Sequence, residues 1–370
     1  MTEITRLLTD QNNLAGSRLE TTDPGPLASG QARMRIHRVA LTANNITYAA
    51  FGHTPHLRYW DFFPVADDGW GQMPAWGFAE VEETTVEGIE PGERFYGFWP
   101  LATHLIVEPV RISERGFYDG SSHRLELVSA YNQYQRIRTD AAYRPENENF
   151  QMLLRPLFIT SFMLADFLED NAFFGAERVL VSSASSKTAY GTVFCLQDRD
   201  DLEVIGLTSS ANTGFVEGLG CYDRVVNYND ITTLNPDVPT LYVDFSGNDA
   251  VRETIHRHMA DSLMHNCYAG SAHNHEHISE TEWTLPGPAP KRYFAPDQIR
   301  KRNADWGPAE VTRRFNRAQL AFIDRVQQPD SPWIRVQEHE GMESAQALIR
   351  SLVNGDVDPA DGHVVKLSVS

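Results

Sequence analysis

The run from Arg178 to Leu196, Arg-Val-Leu-Val-Ser-Ser-Ala-Ser-Ser-Lys-Thr-Ala-Tyr-Gly-Thr-Val-Phe-Cys-Leu, constrains the fold more than any other part of the chain. Its first four residues read as a fully buried strand. Residues 188–196 read as a helix with Ala189, Val193 and Leu196 on one face. Between them stand only small residues and Lys187. A turn of that kind, leading from a parallel strand into a helix, presents backbone N–H groups at a helix N-terminus, where a phosphate can be held. Ser183, Ser186 and Ala189 fall at the three-residue steps where dinucleotide-binding turns usually carry glycine or alanine. Glycine is absent from these positions, so the stretch also fits a plain strand–helix connection.

The residues beyond Leu196 favour the phosphate-binding turn. Residues 203–208 form a second expected strand, ending in Ser209, Ser210 and Asn212. Sites that select NAD place an acidic residue about 20 residues beyond the turn, against the ribose hydroxyls. None stands here. Hydroxyl and amide donors, with Lys187, suit a 2′-phosphate, so the expected cofactor is NADP. An expected helix (214–219), strands at 224–228 and 240–245, a helical face (Val251, Thr254, Ile255, Met259, Leu263) and a strand at 266–271 complete a βαβ alternation, the pattern of a doubly wound parallel sheet. The candidate cofactor contacts are Ser183, Ser185, Ser186, Lys187 and Thr188 in the turn, with Ser209, Asn212, Tyr228, Ser246 and Gly270 at strand ends.

A chain of 370 residues is long enough for two domains. The formal net charge of −18 argues against nucleic acid and anionic membrane as partners, there being no basic stripe to neutralise phosphates. Cys195, Cys221 and Cys267 are isolated, with no CxxC pair, which points to a reducing compartment. The first residues lack the apolar core of a signal peptide, and no stretch reads as long enough to span a bilayer. A cytoplasmic enzyme with a small-molecule substrate is the expectation.

The N-terminal third reads as short strands: 32–41 with a bulge, 76–82, 94–98 and 103–107, split by Gly and Pro, as in a barrel. Residues 44–48 leave the first of these as a short helix or loop closed by Gly52, and the first 30 residues or so read as an exposed entry and a first irregular strand. In its order of parts, and in Gly92-Glu-Arg-Phe-Tyr-Gly97, residues 179–189, residues 219–228 and Val243-Asp-Phe-Ser-Gly247, the chain resembles the medium-chain dehydrogenase/reductase superfamily. The zinc-independent quinone reductase and enoyl reductase branch fits best. Tyr59-Trp-Asp-Phe-Phe-Pro64, Tyr131-Asn-Gln-Tyr134 and Phe294-Ala-Pro-Asp-Gln-Ile299 are similar to a poorly characterised bacterial subgroup within it.

The resemblance implies an α/β fold with a GroES-like β-barrel domain (1–150), a Rossmann NADP-binding domain (151–300) and a C-terminal segment (301–370) returning to the first domain. It permits a homodimer. Zinc alcohol dehydrogenases carry a catalytic Cys and a Gly-His-Glu motif; here Trp76-Gly-Phe-Ala-Glu80 occupies that region and no Cys precedes position 195, so no metal is expected. His273, His275 and His277 alternate, yet an extended segment defines no tetrahedral cage. By the resemblance, Tyr48 matches a tyrosine lining the nicotinamide site, and a helix over residues 158–168 starts near the nicotinamide, with Thr160 and Ser161 as carboxamide contacts. Asp61 is either a base or a helix cap. The linker 113–149 is longer than the family's minimal form, and its Tyr118, Tyr131, Tyr134 and Tyr143 read either as packing or as the rim of a substrate pocket.

Three functions remain open at this level. The first is NADPH-dependent reduction of an activated double bond, quinone or ketone, with Tyr48 as proton donor. The second is a lyase, for example a retro-aldolase on a β-hydroxy ketone, that keeps NADP bound without net hydride transfer. The third is a non-catalytic binding protein on a reductase fold.

Overall fold

The structure is a computed structural model, and it describes residues 3–55, 57–197, 199, 201–269 and 283–367. The chain divides into two compact units, Met1–Leu153 with Ile334–Ser370, and Leu154–Trp333. Residues 301–333, expected with the first domain, belong to the second unit, and only the last 37 residues belong to the first.

In the first unit the strand Ala32–Leu41 is the hub. Its first four residues pair with His104–Val107, its last four with Asp361–Lys366, and nearly its whole length with Pro74–Thr84. Two register shifts, at Arg33/Met34 and Ile36/Arg38, let one strand change partner as the sheet curls. Pro74–Thr84 then pairs with Arg94–Pro100. Alternation gives this GroES-like β-barrel its core: Met34, Ile36, Val39, Phe95 and Trp99 are fully buried. The helix Gly341–Asn354 packs there through Ala345, Leu348, Ile349 and Leu352, three and four residues apart.

Two readings are sharpened here. The first residues form an antiparallel hairpin, Ile4–Asp10 against Asn13–Thr22 with a register shift at Thr9/Asp10, rather than a single irregular strand. Its alternation is hard to read because both faces are partly covered. The linker 113–149 carries regular structure. It supplies the strands Gly116–Asp119 and Gln133–Arg136, which extend the barrel sheet. Arg124 holds it together from inside, donating to Asp119, to the Tyr134 hydroxyl and to the Tyr131 carbonyl at 2.8–3.1 Å.

Among the described residues the second unit forms a six-stranded, all-parallel sheet whose strands lie in the order 3-2-1-4-5-6, the Rossmann arrangement: Arg224–Asn227, Glu203–Thr208, Arg178–Val181, Thr240–Asp244, Leu263–Tyr268, Lys291–Arg292. Val179, Leu180 and Val181 are buried because helices cover both faces. The fifth strand starts at Leu263, three residues before the expected 266, because the preceding helix ends at Met259 and the next residue, Ala260, turns to φ 44°. The expected helix at 158–168 is the C-terminal part of a longer one, Glu148–Asp170. Together with its leading turn (Pro145–Asp170) it is long and apolar enough to cross a membrane, contrary to the sequence reading, and over half of its apolar window is buried within the protein.

Candidate functional site

The first candidate site is the turn after Val181. Ser183 has φ 49°, the left-handed region where a glycine is usual, so a serine here is held by its surroundings. Its N–H donates to the Tyr228 hydroxyl at 2.9 Å. Ala184 N–H donates to the Leu207 carbonyl, and Tyr222 donates to the Ala184 carbonyl at 2.9 Å. The second strand makes room with Gly206, where any Cβ would press on both Ala184 and Tyr222 at 3.0 Å. Ser186 caps the helix Lys187–Cys195 by accepting from Ala189 N–H. Ser185 accepts from the Asn212 amide at 3.2 Å.

Three hydroxyls around the turn, those of Ser185, Ser186 and Tyr228, therefore each accept a hydrogen bond from the protein. A hydroxyl that accepts keeps its own hydrogen to donate. The strand end beside them carries no carboxylate: after Thr208 come Ser209, exposed, and Asn212, half-buried. Burial raises the Tyr228 phenol above its usual range, so it stays a neutral donor.

The loop after the fourth strand is organised by Asp244, whose side chain is fully buried. It accepts from Ser182 Oγ at 3.2 Å, and from Ser246 N–H and Oγ, Gly247 N–H and, through its other oxygen, Arg252 at 2.9–3.0 Å. Ser182 Oγ in turn accepts from Phe245 and Ser246 N–H at 3.0 and 3.1 Å. The charge of Asp244 is thus answered by Arg252, and it leaves the turn without an unpaired anion. Sequence reasoning passed over Asp244, Arg252 and Ser182. The Val243-Asp-Phe-Ser-Gly247 motif was the available signal.

The structure brings Ser183, Ser185, Ser186, Asn212 and Tyr228 into one hydrogen-bonded neighbourhood. Lys187 and Thr188 open the helix at its N-terminus. Ser246 is committed inward to Asp244. Thr160 is half-buried on its helix, while Ser161, read as a carboxamide contact, donates its hydroxyl to the Thr188 carbonyl at 2.8 Å and ties the two helices together at Gly191. Gly270 and His273 to His277 lie outside the described residues. Among the described residues no three His, Cys, Asp or Glu side chains form a group able to hold a metal.

The second candidate site belongs to the barrel unit. Tyr48, on the helix Ala43–Ala50, packs with Tyr59, Phe62, Phe63 and Phe98 in a buried aromatic cluster. Tyr48 and Tyr59 ring centroids are 4.7 Å apart, and Tyr59 and Tyr131 share a hydroxyl–hydroxyl hydrogen bond of 3.0 Å. Trp76 Nε1 donates to Tyr48 Oη at 3.2 Å. Burial, then the neighbouring Tyr131, raises the Tyr48 phenol well above its ordinary value. Asp61 does not share this interior. Its carboxylate is paired with Arg58 at 2.7 Å and is 44% exposed, and it caps no helix. Of the linker tyrosines, Tyr131 joins the cluster, Tyr134 is core, Tyr143 bonds Glu148 and Tyr118 lies under Arg111.

Solved structures share this architecture from end to end. CurA from Vibrio vulnificus, in complex with NADPH, aligns with 13% identity and a TM-score of 0.60, covering 99% of this chain and 100% of that one. The yhdH oxidoreductase from Salmonella enterica, in complex with NADP, gives 13% and 0.52 over 98% and 100%. A mutant form of enoyl thioester reductase from Candida tropicalis gives 11% and 0.56 over 99% and 100%. At such identities the likeness shows the fold alone, a GroES-like barrel domain joined to a Rossmann domain. No curated protein matches the chain in sequence. Residues 39–358 match the family described as protein of unknown function DUF2855, and the chain belongs to that family.

Proposed function

We propose that the chain is an NADP-dependent reductase that acts without a metal on an uncharged substrate carrying an activated double bond, a quinone or a ketone. The observation that carries this reading is the set of hydroxyls of Ser185, Ser186 and Tyr228, each accepting from the protein and so turned to donate, beside a strand end with no carboxylate. Such a set favours an anion, and Ser209 and Asn212 stand at the strand end where a carboxylate would repel a 2′-phosphate. Lys187, Ser209 and Asn212 are the residues assigned to that phosphate. Thr188 is assigned to the pyrophosphate and Thr160 to the carboxamide. CurA and the yhdH oxidoreductase were solved with NADPH and NADP, which supports the same assignment on the same fold.

The bound cofactor would supply a hydride. The remaining work falls to the chain: binding an apolar, planar substrate, excluding water and delivering a proton. A cluster of rings with phenolic and indole donors and no unpaired charge suits an uncharged substrate. Tyr48 is assigned as the proton donor, since a phenol donates while neutral. The base assigned to Asp61 is not carried further, because that carboxylate is held by Arg58.

The test is turnover of enones, quinones and ketones with NADPH, followed by loss of reduced-nicotinamide absorbance. Tyr48→Phe should lower kcat by about 10²-fold with NADP+ affinity unchanged. Carbon–carbon cleavage of a hydroxy ketone without NADPH loss would replace this reading by the lyase.

A further inference from the structure

Trp76 stands on the strand Pro74–Thr84, where zinc enzymes of the resembled superfamily have their Gly-His-Glu region. Its indole nitrogen points at Tyr48 Oη, 3.2 Å away. An indole N–H donates and never accepts. Tyr48 is therefore the acceptor in this bond, and its own hydrogen is directed elsewhere. The ring of Trp76 is held in place by two neighbours, stacking on Tyr96 (5.5 Å, 17°) and leaning on Phe98 (5.1 Å). A donor mounted on a barrel strand and wedged by two rings keeps its direction better than one on a loop.

We infer that Trp76 is a positioning residue for Tyr48, turning the phenol's hydrogen outward and holding the negative charge left on its oxygen after proton donation. This inference rests on the assignment of Tyr48 as donor. The step is a proton transfer. The Tyr48 O–H bond breaks, the proton bonds to the atom of the substrate that carries negative charge, and the electron pair stays on Tyr48 oxygen. Water later returns the proton. In the buried cluster a phenolate has few groups to share its charge. Burial among the rings, and then Tyr131, oppose the charge, whereas the Trp76 N–H and the Asn44 side chain, on Tyr48's own helix, favour it. Of those two, Trp76 stands on a separate element, the barrel strand, and is wedged there by Tyr96 and Phe98.

The first test needs no substrate. Tyr48 is replaced in the full chain by an acidified fluorotyrosine, and its ionisation is followed by absorbance against pH. Trp76→Phe should raise the midpoint by about one pH unit, the change expected when a hydrogen bond to a charged group is lost. An unchanged midpoint overturns the inference. A benzothienyl-alanine at position 76, which exchanges only the N–H for sulfur, gives the same readout if the phenylalanine variant folds poorly.

The second test is turnover with NADPH. Trp76→Phe should lower kcat by about 10-fold, raise the solvent isotope effect on kcat and leave the NADP+ Kd unchanged. Trp76→His, which keeps a ring N–H, should recover part of the rate. Tyr48→Phe, run in parallel, separates the two claims. If Tyr48→Phe turns over normally, the donor assignment fails. If Tyr48→Phe is slow and Trp76→Phe is not, the donor stands and the role of Trp76 fails.

Discussion

The turn of the parallel-sheet unit and the aromatic cluster of the barrel unit are both buried in part and both rich in hydroxyls, but they are held by different forces. Around the turn, hydrogen bonds fix almost every group: Ser183 to Tyr228, Ser185 to Asn212, Ser182 and Ser246 to Asp244, Asp244 to Arg252. In the cluster the rings of Tyr48, Tyr59, Phe62, Phe98 and Tyr131 touch at 4.7–6.5 Å, with hydrogen bonds between Tyr59 and Tyr131 and from Trp76 to Tyr48 at their polar tips. The first region is therefore sensitive to the loss of one polar partner. The second is sensitive to volume. Rigid backbone amides and hydroxyls suit a phosphate, whose geometry is fixed, whereas packed rings suit a variable apolar molecule.

The sharpest way to break that contrast is Asp244→Ala. It strips Arg252 of its buried counter-ion, frees four donors of the turn and its loop (Ser182 Oγ, Ser246 N–H and Oγ, Gly247 N–H), and should destabilise the sheet unit by about 3–5 kcal/mol in chemical denaturation. A loss below about 1 kcal/mol would mean the network is not what holds the region. The second is acidification. His265, stacked on Phe174 at 3.8 Å, is buried, and burial and then Lys291 lower its pKa to about 4 from 6.5. The unfolded chain binds the proton first, so its contribution to stability is full above about pH 6.5 and is lost as pH falls from there toward 4, on the order of 3 kcal/mol in all. His265→Gln should flatten that part of the pH profile.

A volume change tests the other side. Trp60, next to Tyr59, is clamped between Gly52 and Gly71, and a Cβ on either would overlap the indole. Gly52→Ala should cost about 1–3 kcal/mol through displacement of Trp60, and through Tyr59 it should alter substrate KM more than NADP+ affinity. The smallest effect is expected at Ser183. With φ 49° it sits where glycine is free of strain, so Ser183→Gly should change stability by less than about 1 kcal/mol and leave the Tyr228 bond in place. A large loss would show that the serine side chain, not the backbone, carries the turn.

The two regions also differ in how much of them a sequence discloses. The turn is local: strand, small residues and helix lie within about 20 positions, and their hydrophobic spacing and missing acidic residue are readable directly. What escaped was its support, because Asp244 and Arg252 meet Ser182 only after the first and fourth strands pair. The cluster is assembled from stretches far apart in the chain. Tyr131 comes from a segment read as a linker, and Trp76 from a strand whose polar contact has no periodicity. Asp61 was misplaced for the opposite reason. Aromatic neighbours on both sides suggested burial, but a short 3₁₀ turn puts Tyr59 and Phe62 inside and leaves Asp61 half exposed beside Arg58.

The central claim is that the serine-rich turn holds NADP. Calorimetric titration of the full chain with NADP+ and NAD+ tests it most directly, with Ser209→Ala and Lys187→Ala alongside. The account predicts a saturable binding isotherm for NADP+, at least about 10-fold weaker binding of NAD+, and loss of that difference in the two variants, since about 1.4 kcal/mol separates each tenfold step. Absence of binding heat for both nucleotides would contradict it and leave a reductase fold put to another use.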